Sequence, residues 1–443
     1  MKLTPATAGS LLLTLGVVYL GFGVDRTVFW SLFLAFTLAF AGYALLVGRP
    51  AGRRFRALML LGLALRLLLL FAFPRLSDDV YRFLWDGQLI LSGENPFAHP
   101  PDYYLREAAA PDPELYDRLN SPAYHSVYPP VAQAVFAVAS WMAGGSWAWG
   151  AALMKGFLLL AEIATLWLLL RLLARFRLPP GRALLYWLNP LVIVEVSGNL
   201  HFEGAMVCFL LLSLYFLTLS RYARAGAAMA LSVASKLLPL MLLPFLLKRL
   251  WRGPFWRFFL TLGGVLLLVF LPLLPGSGLL DGVGGSLDLY FRKFEFNASL
   301  YYLLRAYGYH ELGWNQIARF GPWLARLAGL LILFLALADE RTGWRSLPAR
   351  WLAAFVVYLL CATTVHPWYL TVPIALCSFT PWRYPLVWSY LIVLTYASYA
   401  TVPYREELWL VGLEYSGVFL YFAYERFRQT KKGPHGDRAD LML

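Results

Sequence analysis

Two adjacent aspartates, Asp78 and Asp79, come directly after an apolar run that is long enough to cross a membrane. In a helix, Asp79, Arg82 and Asp86 would lie on one stripe, at positions i, i+3 and i+7. This pattern has two interpretations. It is either a surface ladder of ion pairs on a helix capped by Ser77, or a carboxylate general base beside an arginine that positions it.

A second polar group lies in the segment SGNLHFEG, residues 197–204, between two apolar runs. It contains Asn199, His201 and Glu203. Ionisable side chains at membrane depth are costly unless they are paired or used in function. The segment is therefore either a satisfied turn at the interface or part of a site. Its spacing matches no standard metal-ligand motif, and we expect no metal there.

Lys236 stands about ten residues from either end of the apolar run AGAAMALSVASKLLPLMLLPFLL. A lysine in the middle of a membrane helix costs roughly 2.5–3.5 kcal/mol on insertion scales. Because its ammonium group lies far from both ends of the run, we expect an anionic partner, such as a lipid phosphate.

Two further segments combine aromatic rings with charged or titratable groups. YFRKFEFNASLYYLLR, residues 290–305, carries Arg292 among its rings. It is either an interfacial aromatic belt or a platform for a sugar with cations for a phosphate. His366, in TTVHPWYL, stands at the end of an apolar run, before a proline. It is either a polar turn residue or a residue of a site.

The whole chain has the composition of a helical membrane protein. Of its 443 residues, 60% are hydrophobic and 14% are charged, whereas soluble domains contain about 25% charged residues. Much of the net charge of +13 lies in short arginine-rich loops between apolar runs, which is the positive-inside pattern of membrane topology. This distribution argues against a nucleic-acid partner. The three cysteines lie in apolar runs and form no disulfide framework.

Placing the arginine-rich loops in the cytoplasm predicts the topology. We expect one integral membrane domain over residues 1–443, an all-α polytopic bundle of about 11–13 transmembrane helices. Spans near 9–24, 28–48 and 57–73 lead to a long first external loop, 75–127, which carries short interfacial helices and the catalytic group. A second external loop covers 276–316, and a cytoplasmic tail covers 427–443. The polar segments 75–127, 197–203, 276–316 and 365–369 then share the external side.

Two segments do not fit simple spans. Residues 128–144 are expected to be interfacial or partly inserted. Residues 226–247 have basic residues on both flanks but only about one span's length between them. A re-entrant hairpin that breaks near Lys236 and Pro239 satisfies both constraints, and such broken helices occur where they line a polar cavity.

Glycine-rich stretches offer no nucleotide site, because GGVLLLV and GVGGS lack the lysine of a phosphate-binding loop. A lipid-carried donor is therefore favoured for any transferase chemistry. The main alternative to an enzyme is a transporter or a lipid or glycolipid flippase, with Lys236, His201 and Glu203 as a midplane site. A non-catalytic scaffold of an envelope complex is a third possibility. Inverted repeats would mark a transporter, and none is visible in the sequence.

Several short motifs occur in a fixed order over about residues 75–370. They are Asp78-Asp79, Gly93-Glu94-Asn95-Pro96-Phe97, Tyr128-Pro129-Pro130, Leu188-Asn189-Pro190-Leu191, Gly198-Asn199 with His201, Ser235-Lys236-Leu237-Leu238-Pro239, Phe296-Asn297-Ala298-Ser299-Leu300-Tyr301 and His366-Pro367-Trp368-Tyr369-Leu370. With these motifs the chain resembles the GT-C superfamily of membrane glycosyltransferases, in particular the polyprenyl- or dolichyl-phosphate-mannose-dependent mannosyltransferases.

The resemblance implies a catalytic aspartate in the first external loop that deprotonates the acceptor hydroxyl while a lipid phosphate leaves, with inversion at the anomeric carbon. An acid 17 residues before Pro96 points to Asp79, but this chain has Asp-Asp where many relatives have Asp-x-Asp, and the choice between Asp78 and Asp79 stays open. A divalent metal is not expected, because the leaving group lacks the charge of a nucleotide diphosphate.

The resemblance also suggests roles for the other motifs. Lys236, Arg292 and His366 would neutralise the leaving phosphate, and Tyr128, Trp368 and Tyr369 would offer ring faces to the sugar. The residues expected on the acceptor side or in support are Arg82, Asn199, His201, Glu203, Glu94 and Asn297. The partners would be a lipid-linked sugar donor and a lipid or glycan acceptor within the bilayer, at a bacterial inner membrane with the site facing the periplasm.

Overall fold

The computed structural model describes residues 4–48, 52–107, 111–251, 253–273, 292–401 and 404–431. Within these ranges the chain is helical, apart from turns and one isolated bridge between Phe296 and Thr364. The prediction of an all-α polytopic membrane protein is confirmed.

The N-terminal part contains three helices, as the three predicted spans require. They are α1 (Pro5–Val18), which continues as a π-helical turn over Tyr19–Gly23, α2 (Phe29–Leu46) and α3 (Gly52–Leu69). Helices α1 and α2 pack against each other along most of their length.

The predicted first loop, residues 75–127, contains three short helices. These are α4 (Asp79–Leu91), α5 (Pro101–Arg106) and α6 (Pro113–Tyr116). In α4 the apolar residues Val80, Phe83 and Leu84 recur with helical spacing, and all three are buried. This face packs on the next helix, α7 (Pro130–Ala143), a short apolar helix in the segment predicted to be interfacial or partly inserted.

The middle of the chain is built from one long helix and several broken ones. Helix α8 (Trp147–Arg175) is continuous. It is followed by α9 (Leu184–Trp187), α10 (Pro190–Val192), a π-helical turn over Ile193–Gly198 and α11 (Glu203–Thr218). The segment Pro190–Gly198 and helix α11 meet at an angle of 111°.

The predicted break at Lys236 is observed. Helix α12 (Tyr222–Ser235) ends before Lys236, whose backbone is extended with φ −157° and ψ 138°. A 3-10 turn over Leu238–Leu242 and helix α13 (Pro244–Leu250) follow. Pro239 has no N–H to donate within a helix, which accounts for the break at this place.

The C-terminal part begins with α14 (Phe255–Phe270), which ends in a 3-10 turn over Leu271–Leu273. The later helices are α15 (Leu300–Leu312), α16 (Ile317–Leu337), α17 (Leu347–Cys361), α18 (Thr371–Cys377), α19 (Tyr384–Leu391), which is extended by a 3-10 turn over Ile392–Ala400, and α20 (Leu408–Lys431). Much of the predicted second loop, 276–291, and most of the predicted tail, 432–443, lie outside the described residues.

Five described helices are each long and apolar enough to cross a membrane, and the bent pair formed by Pro190–Gly198 and α11 would make six. The five are α1 with its π-helical turn, α2, α8, α14 with its 3-10 turn, and α16. The other apolar helices are shorter, broken or more charged. The predicted number of 11–13 spans is thus not reached by continuous apolar helices in these ranges and stays a prediction.

A buried ion pair joins α3 to α8. The Nη2 atom of Arg66 lies 2.8 Å from Oε2 of Glu162, and neither side chain is exposed. The hydroxyl of Tyr186 donates to the other carboxylate oxygen at 2.6 Å, and the guanidinium lies over the Trp187 ring, 3.9 Å from its centroid. A buried pair is tolerated because these contacts satisfy both charges.

Candidate active site

The two aspartates stand at the start of α4, and Asn199 fixes the chain that leads to them. Helix α4 begins at Asp79, whose N–H donates to the Ser77 hydroxyl at 3.2 Å. The side-chain oxygen of Asn199 accepts from the backbone N–H groups of Arg75 and Leu76, at 3.2 and 3.0 Å. Asn199 therefore holds the segment before α4 through its backbone, and its supporting role in a reaction stays a prediction.

The two carboxylates have different surroundings. Asp78 forms an ion pair with Arg26, whose guanidinium also lies 5.2 Å from the centroid of the Tyr399 ring. The Oδ2 atom of Asp79 lies 3.9 Å from Nε2 of His201, and its side chain is 23% exposed. Its other oxygen accepts from the amide of Asn120 at 3.4 Å. Asp78 thus has its charge compensated by a guanidinium, whereas the described contacts of Asp79 are with an imidazole and an amide.

His201 lies under Asp79 and is almost fully buried. Its Nδ1 atom lies 2.9 Å from the backbone carbonyl oxygen of Glu195 and 3.2 Å from Oε2 of the same residue. Its ring stacks on Trp368, with 3.6 Å between the centroids. The ring of His366 also stacks on Trp368, at 4.4 Å. Two predicted site segments, 197–204 and 365–369, are therefore brought together beside the aspartates.

Lys236 and Glu203 form an ion pair at the break after α12. The Nζ atom lies 3.1 Å from Oε1 of Glu203, which is fully buried, while the lysine side chain is 18% exposed. The ammonium group also lies 5.4 Å from the centroid of the Tyr128 ring. The anionic partner expected for Lys236 is thus a carboxylate of the protein, and part of the lysine remains accessible.

His366 does not carry the positive charge expected of a phosphate ligand. It stands in the turn before the 3-10 segment Pro367–Leu370. Burial, with the nearby His201 and Lys236, lowers its pKa to about 3. His366 is therefore neutral at pH 7. Its ring lies in a stack with Trp368 and Phe296, at 4.4 and 4.7 Å, and Tyr369 lies edge-on to it at 5.4 Å.

Of the two interpretations of the stripe that contains Arg82 and Asp86, the surface ladder is wrong and the general base stays a prediction. The two residues are buried and form an ion pair of 2.7 Å, so they are no surface ladder. Arg82 also donates to the carbonyl of Tyr124 at 2.9 Å, and Asp86 accepts from Gln133 at 2.9 Å. These bonds fasten α4 to residues 124–133. Arg82 contacts this segment and Asp86 instead of positioning the aspartate pair.

Three other predicted residues lie apart from this centre. Asn297 is buried and joins segments: its backbone N–H donates to Glu406 at 2.6 Å and its amide to Glu414 at 3.3 Å. Glu94 is exposed in the turn after α4. Arg292 is also exposed and is the first residue of the described range 292–401. The roles of Glu94 and Arg292 stay predictions.

Sequence reasoning missed two residues of the site, Glu195 and Arg26. Glu195 is fully buried in the π-helical turn, and a lone acid inside the run PLVIVEVSG was the available signal. Arg26 stands in the turn between α1 and α2 and looked like an ordinary loop charge. In the part of the chain that the structure describes, no group of three or more histidine, cysteine, aspartate or glutamate side chains has the geometry to hold a metal ion.

Apolar helices around a buried cluster of carboxylates, imidazoles and aromatic rings define an all-α polytopic membrane protein. The chain belongs to the family described as alpha-(1→6)-mannopyranosyltransferase, N-terminal domain, whose sequence model matches residues 6–252.

A relative from Corynebacterium glutamicum, alpha-(1→6)-mannopyranosyltransferase A, is 27% identical over 273 residues, which cover 55% of this chain and 51% of the relative. The chain thus matches about half the length of this curated relative.

Proposed function

We propose that the protein transfers a mannosyl group from a polyprenyl-phosphate-linked donor to a hydroxyl of a lipid or glycan acceptor, with Asp79 as general base. The observation that carries the proposal is the contrast between the two aspartates. Both side chains are partly exposed, Asp78 at 34% and Asp79 at 23%, but Asp78 is paired with the Arg26 guanidinium, whereas Asp79 lies beside an imidazole. A base must reach the acceptor hydroxyl and keep a free lone pair, which favours Asp79.

The reaction is an inverting displacement. Asp79 takes the proton of the acceptor hydroxyl, the hydroxyl oxygen bonds to C1 of mannose, and the bond from C1 to the phosphate oxygen breaks with its electron pair. Inversion gives an α linkage only from a β-linked mannosyl phosphate. Since the family's description specifies α-(1→6) products, the β anomer of the donor is part of the proposal.

The donor side of the site is formed around Lys236. Its partly exposed ammonium group lies close to Tyr128, and we assign it to the negative charge that grows on the leaving phosphate. Fixed charges aimed at the place where charge develops are commonly the largest contribution to catalysis. Trp368 and Tyr369 are buried, and His201 and His366 stack on Trp368, so the sugar-binding role of these two rings stays a prediction. Arg292 is the second cation proposed for the phosphate.

A divalent metal is not part of the proposed mechanism, because the leaving group is a phosphate monoester whose charge Lys236 can balance. The remaining supporting residues act through the backbone or through one another, as the contacts of Asn199 and of Glu203 illustrate. We further propose that the site faces the outside of a bacterial inner membrane, where the loop 75–127 and the turn 197–203 are expected to lie.

The test compares two matched variants, Asp79→Asn and Asp78→Asn, in proteoliposomes supplied with radiolabelled mannosyl polyprenyl phosphate and crude membrane lipids. We expect Asp79→Asn to lower kcat by about 10²–10⁴-fold, the usual contribution of a general base, while Asp78→Asn keeps most of the activity. The β-linked donor should be used and the α-linked donor refused.

Three results would contradict the proposal. Equal losses in both variants would remove the distinction between the carboxylates, and full activity in Asp79→Asn would remove the base. A wild-type protein that consumes neither anomer of the lipid-linked donor would point to transport of a glycolipid instead.

A further inference from the structure

His201 is placed to receive a proton from Asp79. Its Nδ1 atom lies 2.9 Å from the carbonyl oxygen of Glu195, and a carbonyl oxygen can only accept a hydrogen bond. Nδ1 therefore carries the hydrogen. In the neutral imidazole the other nitrogen, Nε2, then has a free lone pair.

That nitrogen lies near the proposed base. Nε2 is buried and, among the described residues, has no hydrogen-bond partner, while Oδ2 of Asp79 lies 3.9 Å away. Catalytic hydrogen bonds are often long without substrate and shorten in the complex. A small rotation of the Asp79 side chain would bring the two atoms into contact.

A carboxylate and an aromatic ring lie against His201. Oε2 of Glu195 lies 3.2 Å from Nδ1, and the other carboxylate oxygen of Glu195 accepts a hydrogen bond from Tyr396. The ring of Trp368 is stacked on the imidazole, with 3.6 Å between the centroids, and His366 stacks on the same Trp368 ring. Glu195 is thus placed to compensate the charge of an imidazolium.

We propose that Asp79, His201 and Glu195 form a proton relay, in which His201 takes from Asp79 the proton of the acceptor hydroxyl and Glu195 stabilises the imidazolium. The relay rests on the proposed function, since it acts through the base assigned there. The hydroxyl proton moves to Oδ2 of Asp79 and on to Nε2 of His201, and water takes it up after the product leaves. Asp79 is thereby a carboxylate again before the reverse reaction can cleave the new glycosidic bond.

Glu195 sits on the π-helical turn over Ile193–Gly198, and this turn explains how it reaches His201. One extra residue per turn shifts a side chain out of the ordinary helical register, and such turns are frequent at functional sites. Here the same residue offers both its carbonyl and its carboxylate to Nδ1 of His201.

The decisive experiment is chemical rescue of His201→Ala in the mannosyl transfer assay. We expect kcat to fall by about 10²-fold, the lower range for a lost proton-transfer group, with little change in the KM of the donor. Added imidazole should restore part of kcat, whereas pyrazole, which has the same shape but is a much weaker base, should not. Imidazole should leave Asp79→Asn inactive. His310→Ala, at an exposed histidine, is the control and should behave as wild type.

A variant that keeps the side-chain volume covers the case in which His201→Ala fails to fold. Glu195→Gln retains an oxygen for Tyr396 but removes the negative charge beside Nδ1, and we expect kcat to fall by about 10-fold, as for a weakened proton transfer. Rescue by imidazole and pyrazole alike would overturn the relay, and so would wild-type kcat in both variants. If either result came with an inactive Asp79→Asn, the relay would be refuted, but Asp79 would remain the general base of the proposed function. An active Asp79→Asn would instead overturn the proposed function.

Discussion

The chemical difference between Asp78 and Asp79 comes from residues that are distant in the sequence. Arg26 stands 52 residues before Asp78, and His201 comes from the turn before α11. Two adjacent side chains at the start of a helix point in different directions, because each residue turns the helix by about 100°. Their identity and membrane location could be predicted from the sequence, but their partners depend on how α1, α4 and α11 meet.

Lys236 can be tested separately from the ion pair that it forms. Lys236→Met leaves the buried carboxylate of Glu203 without its ammonium partner, and breaking a buried pair typically costs about 3–5 kcal/mol. The double variant Lys236→Met with Glu203→Gln removes the stranded charge, so we expect its thermal stability in detergent to recover. The kcat should stay lowered in both variants, because the charge that grows on the leaving phosphate has lost its cation.

Measuring both properties on the two variants separates the roles of the lysine. A double variant with normal kcat would mean that Lys236 serves only to neutralise Glu203.

At the scale of elements, α4 begins with the proposed base, Asp79, and the fit of α4 against α7 sets the position of this residue. An ideal Cβ atom on Gly87 would lie 2.5 Å from the backbone oxygen of Phe136 and 2.3 Å from the Ser140 hydroxyl. The two helices can therefore approach this closely only with glycine at this position.

Gly87→Ala should displace α4. Overpacking of this kind costs about 1–3 kcal/mol, and we expect lower thermal stability in detergent together with reduced kcat, because Asp79 moves with the helix. Gly156→Ala in α8 is the matched control: its Cβ would meet nothing within 4 Å. The interpretation fails if the two alanine variants lose stability or activity to the same extent.

The sequence predicted elements better than it predicted their junctions. Apolar runs marked α1, α2, α8 and α16 because their length and composition identify membrane helices, and Pro239 marked the break after Lys236. The π-helical turn over Ile193–Gly198 had no such signal, since its residues are as apolar as those of a regular helix. The buried pair of Arg82 and Asp86 was misread because burial depends on α7, which packs over α4.

At the scale of the whole molecule, the site combines two parts of the chain. The family match covers residues 6–252, which include Asp79, Glu195, His201 and Lys236. Trp368 and His366, whose rings stack together beside His201, lie beyond that region. The C-terminal helices are therefore needed to complete the site.

Glu406 links these C-terminal segments in a pH-dependent way. Its carboxylate accepts the backbone N–H of Asn297 at 2.6 Å. Burial, opposed by this hydrogen bond and assisted by Glu295, raises its pKa from 4.5 to about 7. The folded protein thus holds a proton that the unfolded chain has released between these values, and this contribution to stability is lost as the pH rises through that window.

Glu406→Gln should flatten this pH dependence, because glutamine keeps the accepting oxygen and never ionises. We expect wild type to lose more thermal stability in detergent than the variant between pH 5 and pH 8, values chosen to bracket the two pKa values. Glu340→Gln, at an exposed position, should follow wild type. Parallel curves for all three proteins would refute the role of Glu406.

The buried pair of Arg66 and Glu162 also has a consequence for how the protein is made. Arg66 leaves the ribosome 96 residues ahead of its partner, and an unpaired arginine in the last turn of a membrane helix is costly to insert. Helix α3 is therefore expected to wait at the edge of the insertion machinery until α8 arrives, so that the two helices enter the lipid together. A nascent chain stopped before Glu162 would hold α3 only loosely in the membrane, and the surroundings of Asp78 and Asp79 would form late in synthesis.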